Sequence, residues 1–330
     1  MTDVLTVNDI SIDIPLGDAT LRPVRNVTFS VKKGETLCIV GESGCGKSLT
    51  SLSIMGLLPS GAKISSGNII LAGQNLNALS EREWSDVRGA RISMVFQEPM
   101  SSLNPVLTIG EQLTEGFVRH GRGTLAEAEE RAISLLTTVR VVTPEARMKQ
   151  YPHHLSGGLR QRVMIAMALM CKPDVIIADE PTTALDVTVQ VQVLKLLKTL
   201  QAELGVSVVF VTHDLGVVAH IADRVMVMYG GEVVETGTVE HIFGNPAHPY
   251  TQGLLNCLPK PFQRVELGSL PGSVPAVYGE VASCIFSNRC PNVVSTCTER
   301  KVDLMPVETG HQSRCILSVE QIHEHSERRA

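Results

Sequence analysis

Long apolar runs are missing. No window holds the ~18 uninterrupted apolar residues that a bilayer crossing needs, so no membrane-spanning helix is expected. The opening, MTDVLTVNDI, has neither the basic nor the apolar region of a secretion signal, which points to the cytosol. Positive charge is not in excess: 29 Lys and Arg stand against 34 Asp and Glu, a formal net charge of -5. That leaves no basic stripe for nucleic acid, which is not expected as a partner. Eight cysteines in 330 residues fall far below disulfide-scaffold density, and in a reducing compartment a cysteine cluster points to a metal before a disulfide. The length exceeds one average domain and suits one large domain with an appendage.

What is present is a series of short apolar runs. Thr36 to Val40 leads through a glycine-rich turn into Lys47 to Leu58, whose apolar positions recur at helical spacing, and this predicts strand, loop, helix. Ile92 to Phe96, Val175 to Ala178, Val206 to Thr212 and Val225 to Met228 are continuous and mostly β-branched, as parallel strands covered on both faces would be. Between the last three lie helical stretches, Leu185 to Leu204 and Leu215 to Ala222, of the length that parallel crossovers require. The fold class is therefore α/β with a mostly parallel sheet. Pro99 to Pro152 reads as amphipathic helices, Thr124 to Val139 among them, and suggests a helical insertion. After His248, turns and prolines take over (Pro249, Pro259, Pro261, Pro271, Pro275), so a separate loop-rich module is expected there. The final IHEHSERRA is polar and expected to fray.

Gly41 to Ser48 fits G-x-x-x-x-G-K-[ST] between a predicted strand and a predicted helix. Glycines let such a loop turn backbone N–H groups around an anion, and the helix that follows adds its positive end. Gly41, Glu42, Ser43, Gly44, Cys45, Gly46, Lys47, Ser48 and Leu49 are the candidate nucleotide-binding residues, with Lys47 on the terminal phosphates and Ser48 on Mg2+. Cys45 occupies a variable position, as a small loop residue. Val175 to Glu180 is an apolar strand ending in two acids: Asp179 is placed to support Mg2+, and Glu180 to polarise a water. A phosphate loop alone does not separate kinase, GTPase, motor and transporter.

Leu155 to Gln161, LSGGLRQ, resembles the signature of ABC ATPases, and the other motifs of that family follow in order. Gln97 ends a strand as the family's Q-loop glutamine does, Ala184 to Asp186 resembles the D-loop, and His213 stands where the switch histidine does. The resemblance implies an ABC ATPase core over residues 1–245, with a helical subdomain at about 99–165. It also implies that two such domains face head to tail, each ATP lying between one chain's phosphate loop and the other's signature. Ser156, Gly157, Gly158, Gln161 and Asp186 would then act in trans. Mg2+ would be held through Ser48, Gln97 and Asp179, with Glu180 as general base and His213 fixing the γ-phosphate and water. One departure stands out. The family usually stacks adenine on an aromatic near the end of the first strand; between Met1 and Thr28 there is none, and the corresponding residue is Ile14. An aliphatic contact, or one from Arg22, is the expectation.

Phe96 to Pro105, Met164 to Met170 and Asn245 to Thr251 resemble the dipeptide and oligopeptide importer ATPases. The resemblance implies an ATP hydrolase at the cytoplasmic face of a bacterial inner membrane, energising peptide uptake. Its partners would be a second ABC ATPase subunit, a paralogue, with two transmembrane permease subunits and an extracytoplasmic solute-binding protein. Residues 246–330 form the C-terminal module. There Cys284, Cys290, Cys297 and Cys315 are spaced C-x5-C-x6-C-x17-C, without the C-x2-C pairs usual for zinc. The segment resembles the cysteine-bearing tail of peptide importer ATPases, which binds a [4Fe-4S] cluster in some members. Such a cluster is the expectation here, with Zn2+ or four reduced thiols as alternatives. Ser283 stands where that tail often has glycine. Two other functions compete: a DNA-repair or translation ABC ATPase, whose long insertions or paired cassettes do not fit a single phosphate loop, and a soluble metal-sensing ATPase.

Overall fold

The computed structural model describes residues 2–98, 102–183, 186–258 and 270–322. Pro99, Met100, Ser101, Ala184, Leu185, Pro259, Pro261 and the end of the chain from His323 lie outside the described residues. The chain folds as two compact units, one of residues 1–5, 31–35 and 71–210, the other of 6–30, 36–70 and 211–330.

Most of a hairpin, β1 (Asp3–Leu16) and β2 (Ala19–Lys32), turned at Gly17 and Asp18, belongs to the second unit. Asp9 at φ 50 interrupts the alternation in β1, and the apolar residues Ile10 and Ile12 beyond it are fully buried. β3 (Thr36–Val40) is buried at every position, which is why it reads as an unbroken apolar run. α1 (Lys47–Ile54) follows the glycine turn. It stops short of the expected Leu58 because Gly56, at φ 62, closes a left-handed cap in which the Leu57 N–H donates to Leu52 O at 2.9 Å. β4 (Lys63–Leu71) flanks β1 on the side away from β2.

The first unit carries a short parallel sheet and the helical insertion. β5 (Ile92–Val95) is followed by α2 (Ile109–Arg119), α3 (Leu125–Thr138), α4 (Pro144–Met148) and α5 (Gly157–Leu169). Thr108 with Glu111, and Thr124 with Glu127, close capping boxes that start α2 and α3. α3 thus occupies the stretch predicted from Thr124 to Val139, its two caps. β6 (Val175–Asp179) is parallel to β5 with Ile92 opposite Val175, and α6 (Val187–Leu204) crosses over to β7 (Ser207–Thr212) beside it. β7 begins in this unit and ends in the other.

The chain returns to the second unit through α7 (Leu215–Ile221) into β8 (Arg224–Tyr229), parallel to β3 with Cys38 opposite Val225. β9 (Glu232–Thr238) turns back antiparallel, and α8 (Pro249–Asn256) follows. Beyond it the loop-rich tail does what its sequence did not announce. β10 (Met305–Glu308) and β11 (His311–Ser313) form a hairpin whose second strand pairs with β9, giving the order β10-β11-β9-β8-β3. Buried Glu235 and His311, 2.8 Å apart, join β9 to β11. Strands of four and three residues are too short to show an alternating pattern, so sequence missed them. Among the described residues no helix is long and apolar enough to cross a membrane.

Candidate functional site

The phosphate loop leaves the buried end of β3 and enters α1. A Cβ on Gly41 would lie 2.2 Å from Met228 O, and one on Gly46, at φ 104, 2.6 Å from Pro23 O, so only glycine permits the backbone to pass. Lys47 is buried, its ammonium donating to Gly41 O at 2.7 Å and Glu42 O at 3.0 Å across the loop. α1 starts on Gly46 with no side-chain cap and no acid in its first turn, which leaves its positive end open to an anion. Ser43, Gly44 and Ser48 are exposed and Leu49 is half-buried. Cys45 is buried, and burial pushes its thiol up against the opposing pull of Lys47. His213, just past β7, is exposed and shares a 460 Å3 cavity with Gly41, Glu42, Ser43, Ser273 and Val274. The loop, the histidine and part of the tail are thus brought together.

In the first unit, Asp179 is the buried last residue of β6, and Glu180 follows at φ 45, a backbone conformation rare for a side-chain-bearing residue. Its carboxylate accepts from Gln97 Nε2 at 3.0 Å and Thr183 Oγ1 at 3.0 Å. A hydrogen-bonded carboxylate at a strained strand end is held in one orientation. Ser156 and Gly157 are exposed at the start of α5, and the Ser156 side chain caps nothing. A Cβ on Gly158 would meet Val189 Cγ1 at 3.0 Å, whereas Gln161 is buried inside the same helix. Asp186 caps α6 by accepting from the Val189 N–H at 2.9 Å. The acids, Gln97 and the glycine turn of α5 therefore belong to one unit, the phosphate loop and His213 to the other.

Two residues outside the expected set hold the loop from the tail. The Tyr250 hydroxyl on α8 accepts from the Glu42 N–H at 2.9 Å. Arg289 uses all five guanidinium N–H donors: two reach the Glu42 carboxylate at 2.8 and 3.1 Å, and the others reach Tyr229 Oη, Pro271 O and Leu270 O. The Glu42 carboxylate raises the Arg289 guanidinium further above its ordinary range. Tyr229, Tyr250 and Phe286 pack beneath with ring centroids 4.7 to 5.4 Å apart. The only sequence signal for Arg289 was its place beside Cys290. Arg22 is taken up by Asp13 at 2.7 Å and by Glu280, and Ile14 is half-buried in β1.

The expected metal centre is not assembled. Among the described residues no group of three or more His, Cys, Asp or Glu side chains stands ready to hold a metal ion. Cys284 and Cys297 are joined through backbone, the Cys284 N–H donating to Cys297 O at 2.8 Å. Burial pushes the Cys284 thiol up, Cys290 to about 12 and Cys315 to about 11, with neighbouring tail cysteines adding to each shift. The loop, by contrast, is already closed around its lysine.

The ABC transporter family profile matches residues 24–183, and that of the oligopeptide/dipeptide transporter C-terminal region matches residues 234–297. The dipeptide transport ATP-binding protein DppD of Bacillus subtilis is 50% identical over 299 residues, 90% of this chain and 89% of that protein. The oligopeptide transport ATP-binding protein AppD of the same organism is 48% identical over 323 residues, 97% of this chain and 98% of that one. A solved ATP-binding cassette, a dimer in a post-hydrolysis state bound to ADP and Pi, superposes with a TM-score of 0.64 at 32% identity. The match covers 71% of this chain and 98% of the cassette. On these grounds the chain belongs to the ABC transporter family, as an ATP-hydrolysing, ATP-binding subunit of the oligopeptide/dipeptide transporter branch.

Proposed function

We propose that this chain energises uptake of dipeptides or oligopeptides through separate membrane subunits. The carrying observation is that peptide-transport relatives match it along 90 to 97% of its length, tail included. ATP phosphates would lie on Gly41 to Leu49, with Lys47 neutralising charge as the γ-phosphate leaves. Ser48, Gln97 and Asp179 would hold Mg2+, which when bound offsets charge developing on the phosphate oxygens. Glu180 would accept a proton from the attacking water, and His213 would orient that water against the γ-phosphate. Ser156, Gly157 and Gly158 would present the open start of α5 to ATP on a second ATPase subunit, with Gln161 bracing the helix from inside and Asp186 nearby. A paralogue is the favoured second subunit.

The helical insertion supplies the docking surface for the permease subunits. A 490 Å3 groove there combines Glu111, Glu129 and Glu145 with Leu125, Ile133 and Met148, and exposed Leu125 supports an apolar partner there. An extracytoplasmic binding protein would deliver the peptide, and this subunit would sit at the cytoplasmic face of the membrane. The working division is an ATPase domain of residues 1–245, with its helical part at about 99–165, and a C-terminal domain of residues 246–330. Within it Cys284, Cys290, Cys297 and Cys315 would hold a [4Fe-4S] cluster, or alternatively zinc. Their place together in one segment of the C-terminal domain supports this, and loading would require the tail to tighten and the thiols to release their protons. Anaerobically purified protein should then contain iron and sulfide; a colourless, metal-free preparation rejects it.

Glu180→Gln in the assembled transporter tests the central reading. Turnover and peptide uptake should fall together by roughly 10²- to 10⁴-fold while ATP binding persists. Uptake that survives the loss of hydrolysis would separate this chain from transport.

A further inference from the structure

No aromatic precedes Phe29, so nothing on β1 can stack on a nucleobase. The aromatics beneath the phosphate loop are closed to a ligand as well: Tyr229, Tyr250 and Phe286 are at most 1% exposed. The tail brings another ring alongside. The Arg22 N–H donates to Val277 O at 2.9 Å and the Gly279 N–H to Thr20 O at 3.2 Å, so residues 277–279 run antiparallel along β2 with Leu21 opposite Tyr278. Glu280 pairs with Arg22 one step further and fastens the segment.

Directly opposed residues of an antiparallel pair share a face. Across the β1–β2 hairpin, the turn at Gly17 and Asp18 sets Ile14 opposite Leu21, next to the Asp13–Arg22 ion pair on the other face. Ile14, Leu21 and Tyr278 therefore form a row. The first two are half-buried, and Tyr278 is 57% exposed although its backbone is pinned. Pro23 lies two residues past Leu21, on the same face, and its carbonyl is the atom that a Cβ on Gly46 would strike. Leu21 thus stands two residues, about 7 Å along the strand, from the residue that abuts the phosphate loop.

We propose that Tyr278 is the base-stacking residue of the nucleotide site, its ring covering one face of the adenine while Ile14 and Leu21 floor the rest. This rests on the reading of Gly41 to Ser48 as the phosphate site. The C-terminal segment would then complete the nucleotide site from the base end as Arg289 holds it from the phosphate end. Because every base offers a π-face, stacking of this kind strengthens purine nucleotides without selecting strongly among them.

Isothermal titration of the full chain with ATP, GTP and inorganic tripolyphosphate tests it. Tyr278→Ala should weaken ATP and GTP together by on the order of tenfold and leave tripolyphosphate unchanged, while Tyr278→Phe keeps all three. Unchanged ATP affinity in Tyr278→Ala overturns the proposal, as does an equal fall for ATP and tripolyphosphate, since that is damage to the loop. Tyr278→Trp in a Trp84→Phe background adds a direct reading: its emission should change on ATP and not on tripolyphosphate. Lys47→Ala, run in parallel, should lose both probes. If it keeps both while Tyr278→Ala loses ATP, the loop assignment fails and Tyr278 stands.

Discussion

The phosphate loop and the cysteine tail share one compact unit, yet they are built on opposite terms. The loop is finished as it stands. Its glycines, its lysine and the helix behind it are contiguous, and Lys47 satisfies itself on carbonyls five and six residues away. The tail carries four cysteines, one in a short helix and three in irregular segments, raises the thiols of at least three of them, and reaches order through contacts of very long range, such as Arg289 to Glu42. Local order makes the loop ready for an anion without help, whereas the tail depends on what it leans against. The difference also runs one way: the tail grips the loop at Glu42 through both Arg289 and Tyr250.

The largest break in this comparison should come from Lys47→Ala. If the Lys47 ammonium meets the phosphates as proposed, removing it deletes a charge-assisted contact of ~3 kcal/mol, about 100-fold in ATP affinity or more. Equilibrium binding of a fluorescent ATP analogue reads this directly, and wild-type affinity would overturn the loop's role. Arg289→Lys should have a smaller and different effect. Lysine has three donors and no fork, so it cannot meet five acceptors at once, and with the Arg289 side chain 7% exposed the loss is about 2 kcal/mol. Urea denaturation should show this in Arg289→Lys, and Glu42→Gln combined with it should add little, because both break one contact. Full additivity would mean that the tail does not hold the loop through this pair.

How far each region was legible in sequence follows the same division. Thr36 to Val40, Gly41 to Ser48, Val175 to Asp179 and the helix after Thr124 all lie where periodicity and spacing put them, because each is specified by neighbours within a few residues. Motif order picked out Gln97 and Glu180 separately, whereas their hydrogen bond and the Glu180 φ of 45 are parts that no pattern announces. Arg289, Tyr250 as a partner of Glu42, the β10–β11 hairpin and Tyr278 beside Leu21 were not legible, since each is a pairing across a long separation in a segment without period. The cysteine spacing suggested a metal centre because spacing records which residues are available, not whether their sulfurs face one another without their protons.

The smallest effect sharpens that last point. Cys290 has a thiol raised from the ordinary 9.0 to about 12, and Cys315 one raised to about 11, burial being the first cause in both. For a group whose folded value is raised, folded and unfolded chains are both protonated below pH 9, and the stability is fully present there. As pH climbs from about 9 toward 12 the unfolded thiol ionises first, so the unfolded chain is favoured and the tail loses stability across that window. Urea midpoints taken at pH 8 and pH 10.5 should therefore differ more in wild type than in Cys290→Ser, which has no thiol to titrate there. Hydrogen exchange of residues 284–315 should localise the loss to the tail while the phosphate loop keeps its protection. Equal slopes in the two proteins would mean that Cys290 is as free to ionise in the fold as out of it, and the contrast between a finished loop and a proton-bound tail would lose its chemical basis.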